Sequence, residues 1–116
     1  MPHFVIEYSR PLETALHLEE VMDVVFAIGA ASGIMNATDI KVRAIPYDHM
    51  RSGAGFDSFL HVTVTLLAGR TDEQKAQLSI LLREALVGRF AEVGSISIDV
   101  RDMNVIAYKK RVLPPS

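Results

Sequence analysis

The sequence has no cysteine, and none of its 116 residues belongs to a long apolar run. The first absence excludes a disulfide framework, thiol catalysis and thiolate metal sites. The second excludes a transmembrane helix, which needs roughly 18 or more consecutive apolar residues. The opening residues also lack the basic stretch and apolar run of a secretory signal. We therefore expect a cytoplasmic protein with no membrane partner.

An excess of charge of one sign is also missing, because 12 Lys and Arg residues stand against 14 Asp and Glu residues. A nucleic-acid-binding surface usually needs a clear basic excess, so we expect no nucleic-acid partner. The four histidines show no paired metal-ligand spacing and are better interpreted as surface or hydrogen-bonded residues: His3, His17, His49 and His61. We expect neither a metal nor an organic cofactor.

Length and composition are those of one globular domain covering residues 1–116, with 49% apolar and 22% charged residues. Alternating and helical apolar spacings then predict the elements in chain order. These are a strand over residues 4–8, a helix over 11–30, a strand over 38–45, a loop over 46–58, a strand over 59–67, a helix from a Thr71–Gln74 capping box to Gly94, a strand over 95–101, and a tail.

The order of these elements is doubled, and the sequence repeats weakly. Residues 4–8 align with 62–66, and residues 40–43 align with 98–101, at the same offset of 58. We therefore predict two related halves, 1–58 and 59–116, each a β-α-β unit. The fold class is α+β, with a four-stranded mixed sheet and two helices on one face. The other face is amphipathic, and we expect an oligomer to cover it.

Proline directly follows the initiator methionine. If Met1 is removed, Pro2 presents a secondary amine on a ring with few conformations. Nearby cations or burial lower the pKa of such an ammonium toward the range in which a general base works near neutral pH. Pro2 is the first catalytic candidate.

Anionic substrates need fixed cations, and the planar guanidinium of arginine binds a carboxylate through two hydrogen bonds. Three arginines fall at element ends or on the open face: Arg43 late in the second strand, Arg70 between the third strand and the second helix, and Arg101 late in the fourth strand. Arg70 also lies just before a helix N-terminus, where free N–H groups favour an anion. We expect all three to contact substrate, although ordinary salt-bridging arginines would look the same in the sequence.

Three stretches together resemble the 5-carboxymethyl-2-hydroxymuconate isomerases of the tautomerase superfamily: residues 2–9 (PHFVIEYS), residues 40–43 (IKVR), and residues 59–71, which run from FLHVTV to GRT. The similarity covers nearly the whole chain. It implies a homotrimer of doubled β-α-β subunits, and an isomerase of unsaturated keto or enol dicarboxylic acids in aromatic compound catabolism. Residue by residue, it implies Pro2 as the base and Arg43 and Arg70 as carboxylate ligands. It gives Arg101 no role.

Two other functions stay open at this point. One is a non-enzymatic ligand-binding or assembly module on the same fold, in which Pro2 is incidental. The other is a hydratase or dehalogenase of the same superfamily, in which a protonated proline acts as an acid. The loop over residues 46–58 does not follow the family pattern, so the exact substrate is left open. The apolar and basic tail is expected to add a strand, to contact a neighbouring subunit or to remain solvated.

Overall fold

A computed structural model describes residues 2–115. Four strands form one mixed sheet in the order β2-β1-β3-β4: β1 (His3–Ser9), β2 (Lys41–Tyr47), β3 (Phe59–Leu67) and β4 (Ser95–Met103). The pairs β1/β2 and β3/β4 are parallel, and the central pair β1/β3 is antiparallel. Three α-helices connect the strands: α1 (Leu12–Ala15), α2 (Leu18–Ala31) and α3 (Asp72–Arg89). The predicted α+β class with a four-stranded mixed sheet is confirmed, while the division at residue 58 stays a prediction.

The core lies between the sheet and the two longer helices. Even-numbered residues of β1 and β3 point to this side and are fully buried, as strand alternation requires. The helices add apolar side chains at helical spacing, so two helices cover one face as predicted. The buried set is Phe4, Ile6, Tyr8, Leu12, Val21, Val25, Leu60, Val62, Val64, Leu66, Leu78, Leu82, Leu86, Phe90 and Val93. The opposite, open face carries the odd-numbered residues.

The prediction of one helix over residues 11–30 is wrong, because the chain is extended at Leu16 and His17 between α1 and α2. The apolar stripe on which the prediction rested begins only at Leu18. Upstream of it, Glu13 accepts a hydrogen bond from the buried Tyr8 hydroxyl, which holds α1 against the end of β1. The His17 carbonyl then accepts the first N–H groups of the new helix.

The predicted boundaries of the second strand are also wrong, since β2 begins later and runs further than 38–45. A 3₁₀ turn (Ala37–Asp39) precedes it, in which the Asn36 side chain accepts a hydrogen bond from the Thr38 N–H at 3.0 Å. Pro46 lies within β2 and not in a loop, opposite Tyr8. β2 is an edge strand, and an edge strand tolerates a proline because its outer side needs no donor.

The predicted capping box at the start of α3 is confirmed, because Thr71 and Gln74 exchange both side-chain to backbone hydrogen bonds. The helix ends at Arg89, however, and not at Gly94. Gly94 instead lies where the preceding loop packs closely: its N–H donates to Ser58 Oγ at 2.8 Å, and a Cβ there would lie 2.7 Å from the Phe56 Cβ. Among residues 2–115 no helix is both long and apolar enough to cross a membrane.

Candidate active site

Pro2 is buried at the end of the sheet where β1 and β2 begin and β3 and β4 finish. Its carbonyl accepts a hydrogen bond from the Lys41 N–H at 3.1 Å, which ties it to the start of β2. Helix α2 packs closely below, since a Cβ at Gly29 would lie 2.8 Å from the Phe4 ring. Met1, whose removal is the condition for Pro2 to act as a base, lies outside the described residues.

The sheet register places cations on the open face at this end. His3 pairs with Lys41 on one side and Thr65 on the other, and Thr65 pairs with Arg101. These four residues form the row nearest Pro2. The next row consists of Arg43, Val5, Thr63 and Asp99. Three cations therefore share this end of the face with one carboxylate, and such a field favours an anionic ligand.

His3 connects two parts of this end of the sheet. Its Nδ1 accepts a hydrogen bond from Arg43 Nη1 at 3.1 Å, because a guanidinium can only donate. In the neutral ring Nε2 then carries the hydrogen and donates to the Tyr108 hydroxyl at 3.0 Å. Burial, followed by the charges of Arg43 and Lys41, lowers the pKa of His3 below its ordinary value. These surroundings thus disfavour the protonated imidazole.

The chain after β4 brings Tyr108 to this place. We call residues 104–110 the C-terminal strap. Asn104 starts it as a turn, accepting hydrogen bonds from the N–H groups of Ile106 and Ala107 through its side chain and from that of Tyr108 through its carbonyl. The strap leaves β4 at one edge of the sheet and reaches β1 at His3. Further along, Lys110 Nζ lies 3.6 Å from Asp39 Oδ1, just before the opposite edge strand β2. It therefore crosses the sheet at the Pro2 end.

Arg70 lies at the same end of the sheet but turns toward the main chain. Its Nε and Nη2 donate to the Ile34 carbonyl at 2.9 and 2.6 Å, and its Nη1 donates to the Leu67 carbonyl at 3.0 Å. These bonds join the loop after α2 to the end of β3. The predicted contact of Arg70 with a substrate carboxylate stays a prediction, and the remaining two N–H groups of the guanidinium are what such a contact would use.

Arg43 and Arg101 are on the same face but not next to each other. They lie on the two edge strands, three strand spacings or about 14 Å apart. Arg101 is exposed and pairs with Asp99 on its own strand at 2.5 Å. Their guanidinium groups therefore start from opposite edges of the sheet.

Three residues of this site were not predicted from the sequence: His3, Lys41 and Tyr108. The alternation of β1 and β2 already puts His3 and Lys41 on the open face beside Arg43, so the register could have indicated both. No sequence signal places Tyr108, because it depends on the direction the chain takes after β4.

Two grooves of the described chain are lined by none of the residues of this site. One, of about 360 Å³, contains Arg51 together with Asp48 and Asp57. The other groove, of about 570 Å³, lies between the end of α2 and the start of α3, lined by residues such as Ile34, Gln74 and Leu81, and none of its lining residues is a cation. Within residues 2–115 no group of three His, Asp or Glu side chains could hold a metal ion.

Comparison with known proteins gives the same fold. A 5-carboxymethyl-2-hydroxymuconate isomerase from Deinococcus radiodurans R1 has 20% identity and a TM-score of 0.76, over 95% of this chain and 88% of that one. A 5-carboxymethyl-2-hydroxymuconate delta-isomerase has 16% identity and a TM-score of 0.77, over 97% and 88%. The F6 fused 4-OT wild type asymmetric trimer has 14% identity and a TM-score of 0.74, over 93% and 91%. These likenesses confirm the predicted tautomerase fold.

No curated protein matches the sequence. Residues 2–109, from the buried proline to the strap, match the family of 5-carboxymethyl-2-hydroxymuconate isomerases. The matched range takes in all four strands and the whole cationic end of the open face. The resemblance inferred from the opening motif is thereby confirmed, and this chain belongs to the 5-carboxymethyl-2-hydroxymuconate isomerase family.

Proposed function

We propose that the protein is a cofactor-independent isomerase of an unsaturated keto or enol dicarboxylic acid, with the Pro2 nitrogen as the general base. One observation carries the proposal: Pro2 is buried at the end of the sheet where Lys41, Arg43 and Arg101 make the open face cationic. Membership of the family supports the reaction class. A substrate of the 5-carboxymethyl-2-hydroxymuconate type carries the carboxylates that such a surface binds.

The proposed reaction moves one proton. The free amine of Pro2 takes it from the enol oxygen or from one carbon, which leaves a dienolate, and the resulting ammonium returns it to another carbon. No atom is gained or lost. The cations of the open face stabilise the negative charge that develops, and a carboxylate contact with Arg43 holds the reacting carbons near the amine. The same cations disfavour a protonated Pro2, so its pKa should be lower than that of an ordinary α-amino group.

The proposal also includes a homotrimer. The open face leaves apolar side chains exposed beside its cations, among them Ile45 and Tyr47, and a neighbouring subunit would cover them. The fused 4-OT that has a similar fold is an asymmetric trimer. Sedimentation equilibrium at micromolar concentration should give three times the mass of the chain. A monomer at that concentration would overturn this part of the proposal.

Kinetics of Pro2 variants test the function. Ultraviolet absorbance follows the isomerisation of muconate-type enol acids, and Pro2→Ala should reduce kcat by about a hundredfold, the lower end of what a positioned general base contributes. Pro114→Ala, at an exposed proline of the tail, is the matched control and should keep the wild-type rate. Equal rates for wild type and Pro2→Ala would rule out a proline base.

Processing of the N-terminus gives a second test on the unaltered sequence. Protein from which Met1 has been removed should be active, whereas protein that retains it should be inactive, because its Pro2 nitrogen is an amide and cannot accept a proton. Mass spectrometry of the intact chain verifies each preparation. Product analysis separates the remaining functions: a hydrated or dehalogenated product would indicate a hydratase or dehalogenase, and no turnover of any enol acid would indicate a binding module.

A further inference from the structure

We infer that His3 and Tyr108 are positioning residues for Arg43. The C-terminal strap places Tyr108 on the His3 ring, and the ring in turn holds the Arg43 guanidinium in one orientation for a substrate carboxylate. The inference rests on the proposed function, in which Arg43 binds that carboxylate. It gives a role to the strap, to which neither the family match nor the fold assigns one.

The first step is the docking of the strap. Tyr108 is half-buried while the residues on either side of it are exposed, and Ile106 is 79% exposed. The Tyr108 and His3 rings meet edge to face, with centroids 5.8 Å apart and an interplanar angle of 71°. The hydroxyl adds the hydrogen bond to Nε2. Tyr108 is therefore an anchor of the strap on the sheet, and His3 is the residue that it contacts.

The second step is the orientation of the imidazole. The Nδ1 atom must stay unprotonated to accept from Arg43, and the Tyr108 hydroxyl is the partner of the protonated Nε2. A hydrogen bond at one ring nitrogen fixes which nitrogen carries the proton. The groups that face the ring are Arg43 and Lys41 from β2, Thr65 from β3, and Lys110 and Tyr108 from the strap. None of them is an anion, so the surroundings favour the neutral ring.

The third step is the guanidinium. Arg43 is exposed on an edge strand, where a long side chain without a partner samples several rotamers. Freezing those rotamers on binding costs affinity. With one Nη1 hydrogen on His3, the guanidinium keeps its Nε and Nη2 donors, which form the planar edge that a carboxylate binds with two hydrogen bonds. The loss of His3 or of the Tyr108 hydroxyl should therefore raise KM and leave kcat nearly unchanged.

A double-mutant cycle tests whether these residues act through Arg43. Tyr108→Phe keeps the ring contact and removes the hydroxyl, and it should raise KM about two- to tenfold, as expected for one neutral hydrogen bond. His3→Phe should have at least that effect, while His3→Asn, with an amide oxygen near the place of Nδ1, should recover most of it. In an Arg43→Ala background, Tyr108→Phe should change KM less than twofold. An unchanged, fully additive effect in that background would overturn the inference.

Matched controls come from the other end of the open face. Tyr47 donates to Glu7, and His61 Nδ1 bonds to Ser97 Oγ at 2.6 Å. Tyr47→Phe and His61→Phe remove the same chemical groups away from Pro2 and, in preparations that sediment as the wild type does, should leave KM at the wild-type value. KM changes in these variants equal to those of the test variants would indicate a general effect of altering the face, and would overturn the inference.

Nitrogen NMR of the imidazoles gives a readout that needs no turnover. His3 should be in the Nε2–H form in wild-type protein at pH 8, and Arg43→Ala should allow a mixture of the two tautomers. An Nδ1–H ring in wild-type protein would overturn the inference even if the enzyme is active. A wild-type protein with no isomerase activity would instead overturn the proposed function. The His3 tautomer measured by NMR would still test whether His3 accepts a hydrogen bond from Arg43.

Discussion

Arg43 and Arg70 look alike in the sequence, but their surroundings in the structure differ. Arg70 donates three hydrogen bonds to two main-chain carbonyls, those of Ile34 and Leu67. Arg43 lies exposed on the open face with its Nη1 on His3, and Lys41 lies nearby on the same strand. The Arg70 guanidinium joins the loop after α2 to the end of β3, whereas the Arg43 guanidinium presents its charge to solvent. The position of an arginine at the end of a strand or helix therefore does not predict what its guanidinium contacts.

The difference has a physical origin on each side. Carbonyls where a chain leaves regular structure lack the partners that a helix or sheet supplies, so a donor with five N–H groups is well suited to them. On the open face, neighbouring cations repel each other and the repulsion is relieved when an anion binds. Arg70 should therefore act mainly on stability, and Arg43 mainly on substrate binding.

Among the arginine variants, Arg43→Ala should have the largest effect on kcat/KM. Loss of a charge-assisted hydrogen bond to a carboxylate costs about 1.5 to 3 kcal/mol, so kcat/KM should fall roughly ten- to a hundredfold. The free energy of unfolding should change by less than about 0.5 kcal/mol, because the side chain is exposed. Arg43→Lys should recover only part of kcat/KM, since a point charge lacks the planar pair of donors. Unchanged kinetics in a folded Arg43→Ala protein would make this arginine an ordinary surface residue.

Arg70→Ala should show the reverse pattern. The Ile34 and Leu67 carbonyls lose their donors, and we expect urea unfolding to report a loss of about 1 to 3 kcal/mol at fixed protein concentration. Arg70→Lys should restore only part of the lost free energy of unfolding, because one ammonium cannot reproduce the hydrogen bonds to both carbonyls. If the free energy of unfolding of Arg70→Ala were unchanged and its kcat/KM fell instead, Arg70 would bind a substrate carboxylate, as the family resemblance implies, and would not stabilise the fold.

Arg101→Ala should have a smaller effect than either. Its side chain is 69% exposed and its partner Asp99 is on the same strand, and such surface pairs contribute little. We expect kcat/KM to change less than about threefold. Arg83→Ala, which removes an exposed arginine from α3, is the matched control. If kcat/KM fell more than tenfold in Arg101→Ala and not in the control, β4 would be part of the substrate-binding surface.

The smallest expected effect is a dependence of stability on pH through His3. The pKa of His3 is lower in the folded protein than its ordinary value of 6.5, so the unfolded chain binds more protons between those two values. The contribution of His3 to stability is therefore intact above pH 6.5 and is lost as the pH falls below it. His3→Asn should lessen the fall in stability on acidification from pH 7.5 to 5, measured by urea unfolding. An identical pH dependence in the variant would contradict the assigned pKa direction.

The sequence predicted the sheet well because buried and open-face residues alternate strictly in β1 and β3. It predicted the start of α3 because the capping box at Thr71 is a local signal. It predicted the α1/α2 break poorly, because neither a glycine nor a proline marks the extended residues Leu16 and His17, and the hydrogen bond between Tyr8 and Glu13 that holds α1 leaves no local signal. The site was predicted in part for the same reason. Pro2 and Arg43 follow from chain position and strand register, whereas the strap that brings Tyr108 to His3 is a contact between residues 105 positions apart.

In the proposed function the Pro2 nitrogen is a free amine that works as a base at the cationic end of the sheet. A titration of that nitrogen by ¹⁵N NMR, on protein labelled at proline and verified to lack Met1, tests it most directly. We expect the pKa of this nitrogen to lie below that of an ordinary α-amino group, about 7.7 to 8.0. It should equal the pKa of the acid limb of the kcat/KM profile and should be higher in Arg43→Ala. A nitrogen that titrates with no matching change in rate, or at the same pKa in Arg43→Ala, would contradict it.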